Sequence, residues 1–169
     1  MKTTYFRPSI HGWPFPNSWT YTLQFSGYPL SMGYCGGMCW TALQRFYDGI
    51  PIDRGTQAPS QGHSLYDEIF MVQLGSLSLT KVVRIYGWQQ SPDLGKDGLG
   101  DLTQKEWQTV KGYLDASKPV TLTLIVHSND FKPWDLSDNH RVVAYAYDVR
   151  SVDPAEGAPS GADSHVTIY

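Results

Sequence analysis

Cysteine is scarce in this chain: Cys35 and Cys39 are the only two among 169 residues. Four apart on what should be one helix, they run side by side, so a bridge between them would be strained. That argues against a disulfide framework and makes a reducing compartment, with at least one free thiol, the default. No apolar stretch approaches the roughly 20 residues of a membrane span. The opening Met1-Lys2-Thr3-Thr4-Tyr5-Phe6 lacks the apolar core of a secretion signal, so a cytoplasmic protein, or one exported without an N-terminal signal peptide, is expected. Thirteen basic against sixteen acidic residues give a net charge of -3 without a Lys/Arg cluster, which argues against nucleic acid as a partner. His11, His63 and His165 share no ligand spacing, and neither H-E-x-x-H nor paired C-x-x-C occurs, so no metal is expected. Glycine-rich phosphate loops are also missing. No cofactor is expected.

What is present is a chain long enough for one substantial core, with no composition break, and therefore a single domain over residues 1–169. Six Trp and eleven Tyr make it rich in aromatics. The first thirty residues read as a wrapped arm with one strand over residues 19–25. From Cys35, apolar residues recur at Met38, Ala42, Leu43 and Phe46, and Gly49 with Pro51 ends this helix. A second helix is expected over residues 64–74, a short strand over 81–86 and a long loop over 87–100. Thr103-Gln104-Lys105-Glu106 reads as a capping box opening a third helix that ends before Pro119. Residues 120–126, 140–147 and 166–169 are β-prone. Helices followed by strands imply an α+β domain in which a helix packs on an antiparallel sheet.

Two stretches carry chemistry. Gly33-Tyr34-Cys35-Gly36-Gly37-Met38-Cys39-Trp40 sets a thiol at the mouth of a helix, where unpaired N–H groups and the helix dipole favour thiolate. Asn139-His140-Arg141-Val142-Val143-Ala144-Tyr145 brings a histidine into a strand, where it could serve as that thiol's base. Cys39, one turn further in, is the alternative nucleophile and otherwise packing. A third group should orient the imidazole. Asp153, thirteen residues beyond His140, is the candidate, with Asp148 the nearer alternative.

These motifs resemble the papain-like cysteine peptidase superfamily, whose G-x-C-G-S-C-W run is similar to G-Y-C-G-G-M-C-W here, with one more residue between the thiols. G-x-C-G-G-M with an upstream F-x-N-S, here Phe15-Pro16-Asn17-Ser18, resembles a set of bacterial proteins, and D-P-x-x-G at Asp153 resembles bacteriocin-processing peptidases. Asn139-His140 with Tyr145 and Asp148 is similar to the N-H-x-V-x-x-Y-G-Y-D run around the base of such enzymes, with Ala146 in place of glycine. The resemblance implies a papain-like fold and a Cys35, His140, Asp153 triad. It implies attack on an amide, thioester or ester bond of a protein or peptide substrate, possession of an oxyanion hole, and a possible role as a bacterial effector or toxin. The glutamine such enzymes carry six residues before the nucleophile is replaced by Pro29, or by Gly33 if Cys39 is counted. Asn17 is the expected second oxyanion donor, with Gln24 as a further option. His127, ending a strand, could approach the cleft. The competing class is a binding module on the same scaffold, recognising peptide or carbohydrate through Trp13, Trp19, Trp88 and Trp134.

Overall fold

The computed structural model describes residues 1–25, 28–92, 95–126, 139–151 and 162–169. In chain order the elements are β1 (Lys2–Thr3), α1 (Pro8–His11), β2 (Thr20–Phe25), β3 (Tyr28–Gly33), α2 (Cys35–Asp48), α3 (Ser64–Ser76), α4 (Leu79–Gln89), α5 (Leu99–Asp115), β4 (Val120–Leu124), β5 (His140–Ser151) and β6 (Ala162–Ile168). This is a mixed helix-and-sheet chain, as the alternation of periodicities predicts.

Helix α2 organises the rest. Its apolar residues at three- and four-residue steps bury Met38, Cys39, Ala42 and Leu43. Gly49 closes it in the left-handed region at φ 67°, where a side chain would be strained, and Ile50 N–H donates to the Arg45 carbonyl at 2.8 Å. One flank packs Cys39, Leu43 and Phe46 against Phe6 and Val143. The other packs Met38 and Ala42 with Trp13, Phe15, Tyr34 and Ile69. Between α2 and α3 the backbones nearly touch. A Cβ on Gly37 would stand 2.2 Å from the Ile69 carbonyl oxygen, and one on Gly36 would stand 2.5 Å from Gln73 Oε1. The glycine pair therefore permits the approach of the two helices.

The main sheet is antiparallel and centred on β5. Strand β4 pairs His140 to Ala144 along one edge, and β1 continues that edge at Ala146 and Tyr147. Strand β6 takes the opposite edge, ending where Val143 and Tyr169 exchange bonds of 2.7 and 2.8 Å. Paired residues share a face and alternate along a strand. Val143 meets α2, whereas Val120 and Leu122 meet Val110 and Leu114 of α5, so the two helices cover opposite faces. The separate β2–β3 hairpin runs in register from Thr20↔Gly33 to Phe25↔Tyr28 and leads straight into α2.

Four expectations need correcting. Residues 81–86 are not a strand but the middle of α4. Ser78 caps that helix by accepting from Lys81 N–H at 3.3 Å, and Val82 and Ile85 bury on one face, so tertiary packing overrides the β preference of two adjacent valines. The loop expected over 87–100 is shorter at both ends, because α4 runs to Gln89 and α5 begins at Leu99. Thr103 does not cap α5: its hydroxyl donates back to the Leu99 carbonyl at 2.7 Å, one turn inside a helix whose N-cap is Gly98. The N-terminal arm is also more structured than expected, since α1 lies within it and β1 joins the C-terminal sheet.

Candidate active site

The hairpin delivers the chain to Tyr34, the N-cap of α2, and Cys35 is the first helical residue. Asn17 fixes the turn from outside, its Oδ1 accepting Tyr34 N–H at 3.3 Å, while the Tyr34 side chain is buried and bonds the Tyr66 hydroxyl at 2.8 Å. Cys35 is partly exposed. It stands at the positive end of the α2 dipole.

The spacing of the two cysteines has a structural reason. Along β5, Val143 turns its backbone N–H and C=O toward β6, and by alternation Arg141 presents its own pair along the same edge, beyond Tyr169. Helix α2 answers that pair with two sulfurs one turn apart. Arg141 N–H donates to Cys35 Sγ at 3.5 Å, and the Cys39 thiol donates to the Arg141 carbonyl at 3.1 Å. The sheet edge and helix α2 are stitched together at the residue that follows His140.

The two thiols are therefore unequal. Cys39 is buried, and burial first, then the neighbouring Cys35, push its pKa up to about 12 despite the opposing Arg141 cation. Iodoacetamide at pH 8 is expected to leave Cys39 unmodified in the native protein and to label it once the chain is unfolded in urea, with the mass of the Cys39 peptide as readout. The linked pH effect has a definite sign. A thiol whose folded pKa is raised holds its proton longer in the folded state than in the unfolded one, so its contribution to stability is intact below the ordinary thiol pKa. That contribution is lost as pH rises from there toward about 12. Urea midpoints are expected to fall across that window, and less steeply in Cys39→Ala.

Cys35 and His140 line one small cavity of about 60 Å³, together with Gln73, Asn139, Met32 and Ile85. His140 opens β5 opposite Leu124 and is exposed. Two amides in this lining carry roles the sequence does not announce, Asn139 from within the His140 motif and Gln73 from outside any motif. Gln73 of α3 is buried, and its Oε1 accepts Gly37 N–H at 2.6 Å, which fixes the amide so that Nε2 turns to the Met32 sulfur at 3.8 Å, a weak acceptor. Asn139 Oδ1 accepts Val126 N–H at 3.0 Å, leaving its buried Nδ2 without a partner among the described residues. An unmet buried donor costs about 1–3 kcal/mol. Tyr21 completes the surroundings: burial first, with the nearby Cys35 adding to it against a Gln73 hydrogen bond, raises its pKa to about 12.

Of the other residues singled out from sequence, Asp153, His127 and Trp134 lie outside the described residues, as does the Gln24 side chain. Asp148 is on β5 opposite His165 and pairs with the N-terminal amino group at 3.0 Å. Asn17 is not among the residues that line the cavity. Gln73 was missed because its contact with α2 spans 36 residues of chain and no local pattern announces it. No group of three or more His, Cys, Asp or Glu side chains suited to a metal occurs among the described residues. Comparison with protein-family models, with curated proteins and with solved structures finds no match for the chain.

Proposed function

We propose that the chain is a cysteine-nucleophile hydrolase or acyl transferase with a papain-like arrangement, acting on an amide, thioester or ester bond and most readily read as peptidase-like. The observation that carries this reading is that Cys35, at the first position of α2, and His140, at the first position of β5, line the same cavity although 105 residues separate them. In the proposed reaction the Cys35 sulfur adds to the acyl carbon while its proton passes to His140. The leaving group departs with that proton, and water or an acceptor then releases the acyl group from the thioester. Asp153 is assigned to orient the imidazole. The oxyanion is assigned to Cys35 N–H and to Gln73 Nε2, which would exchange a thioether for an oxygen; Asn17, which does not line the cavity, is the less suited donor.

The binding-module reading is less well supported. Trp13 is only 4% exposed, and its Nε1 donates to the Met38 carbonyl and the Thr41 hydroxyl at 3.1 Å each, so its ring is part of the core. Trp19 packs edge-on against Tyr34 and Tyr66. The direct test is incubation with p-nitrophenyl butyrate followed by peptide mass mapping. A butyryl thioester on Cys35 with release of nitrophenolate supports the proposal, and an unmodified Cys35 refutes it.

A further inference from the structure

Next to the Cys35 cavity, and sharing Ser76, Thr123 and Arg141 with it, lies a wider cavity of about 500 Å³. Its walls include Trp40, whose side is 43% exposed, with Thr121 and Lys81. The lining holds two cations and no carboxylate. Lys81 Nζ donates to the Ser76 carbonyl at 3.1 Å and Arg141 Nη2 to Thr123 Oγ1 at 3.1 Å. Ion pairs among the described residues use Arg45, Lys105, Lys111 and the N-terminal amino group; Lys81 and Arg141 take part in none of them.

In a chain of net charge -3, this local excess of positive charge needs a reason. Each cation is oriented by an uncharged oxygen and keeps further N–H donors: Lys has three and Arg five, set in a fork that matches a carboxylate. Arg141 belongs to both cavities and its backbone N–H touches the Cys35 sulfur, so one bound molecule could reach both its guanidinium and that thiol. The Thr121 hydroxyl adds a neutral donor to the wall, whereas the Ser76 hydroxyl already donates to the Gln73 carbonyl at 2.7 Å.

We propose that this groove is the specificity subsite of the enzyme and takes a carboxylate, so that the preferred substrate carries an acidic side chain or a free carboxylate a few bonds from the scissile carbonyl. This rests on the assignment of Cys35 as nucleophile. The cations hold the anionic end while the acyl carbon reaches the sulfur, and the charge attraction raises the capture rate of such substrates over neutral ones.

The test compares p-nitrophenyl butyrate with the p-nitrophenyl monoesters of succinate, glutarate and adipate, which add a terminal carboxylate at increasing reach. Acylation of the full chain is followed by nitrophenolate release and by the mass of the Cys35 peptide. For at least one monoester the rate relative to butyrate is expected to be about tenfold higher at low salt, to shrink in 0.5 M NaCl, and to fall to near one in Lys81→Gln and Arg141→Gln. Equal rates for all four esters, or a preference that survives both substitutions, would overturn the proposal. If no ester acylates Cys35, the nucleophile assignment fails instead, and the groove is then decided by calorimetric titration with glutarate. Binding weakened at least fivefold by Lys81→Gln supports a carboxylate site; no binding, or equal binding by the variant, removes it.

Discussion

Replacement of Cys35 by alanine is expected to abolish acylation by p-nitrophenyl butyrate, and His140→Ala to slow it by about 10²–10⁴-fold, the usual contribution of a positioned proton acceptor. On the activation scale the histidine effect is about 3–5 kcal/mol. Cys39→Ala should keep the reaction, because that thiol is buried and donates to the Arg141 carbonyl. Its cost falls on stability, about 1–3 kcal/mol for an orphaned carbonyl and a small void. The pattern separates two cysteines that sequence alone leaves as rivals. Loss of acylation in Cys39→Ala with retention in Cys35→Ala would reverse the assignment.

The second large effect is on folding. Gly37→Ala would ordinarily stabilise a helix interior by about 1 kcal/mol. Here the added Cβ would lie 2.2 Å from the Ile69 carbonyl oxygen and 3.0 Å from the Ile69 side chain, so α2 and α3 must move apart. Backbone oxygen cannot rotate away as a side chain can. A net loss of about 3 kcal/mol is expected, near the upper end for overpacking, with the exposed helical Gly112 as contrast. Gly112 meets nothing within 4 Å, so Gly112→Ala should be neutral or slightly stabilising. Urea midpoints at an unchanged slope provide the comparison. Because Gln73 Oε1 holds Gly37 N–H, the same separation should also slow acylation at Cys35 beyond what partial unfolding explains.

How far the sequence announced this molecule depends on how local each signal was. Helix α2 is legible because its periodicity and its Gly49 stop both lie in one short run of chain. Strands β4 and β5 are legible for the same reason, as runs of β-branched residues between breakers. Helix α4 is not, since Val82 and Val83 favour a strand until the burial of Val82 and Ile85 beside Met32 is known. The start of α5 misleads because Thr103 and Glu106 imitate a capping box one turn too late, while Gly98 does the capping with no side chain to show it. At the site, Cys35 and His140 stand in motifs. Gln73 and Lys81 do not, because their places in the two adjoining cavities come only from the folding of α3 and α4 beside β5. The Cys-x-x-x-Cys spacing acquires a meaning only when both polar groups of Arg141 are found facing it.

Alternation along β5 places the Arg141 side chain with Thr123 on the α2 face and directs the His140 side chain to the other. His140 is nevertheless the first residue of its strand and lines the cavity, so the proposed coupling to Cys35 would run around the open end of the sheet. That coupling is the central claim, and the rate of Cys35 alkylation by iodoacetamide between pH 4 and 9, in the native chain and in His140→Ala, reads it directly. If His140 serves as the base of Cys35, the native chain is labelled faster than His140→Ala over the lower half of this range. Superimposable profiles for the two proteins would contradict the pairing of Cys35 with His140.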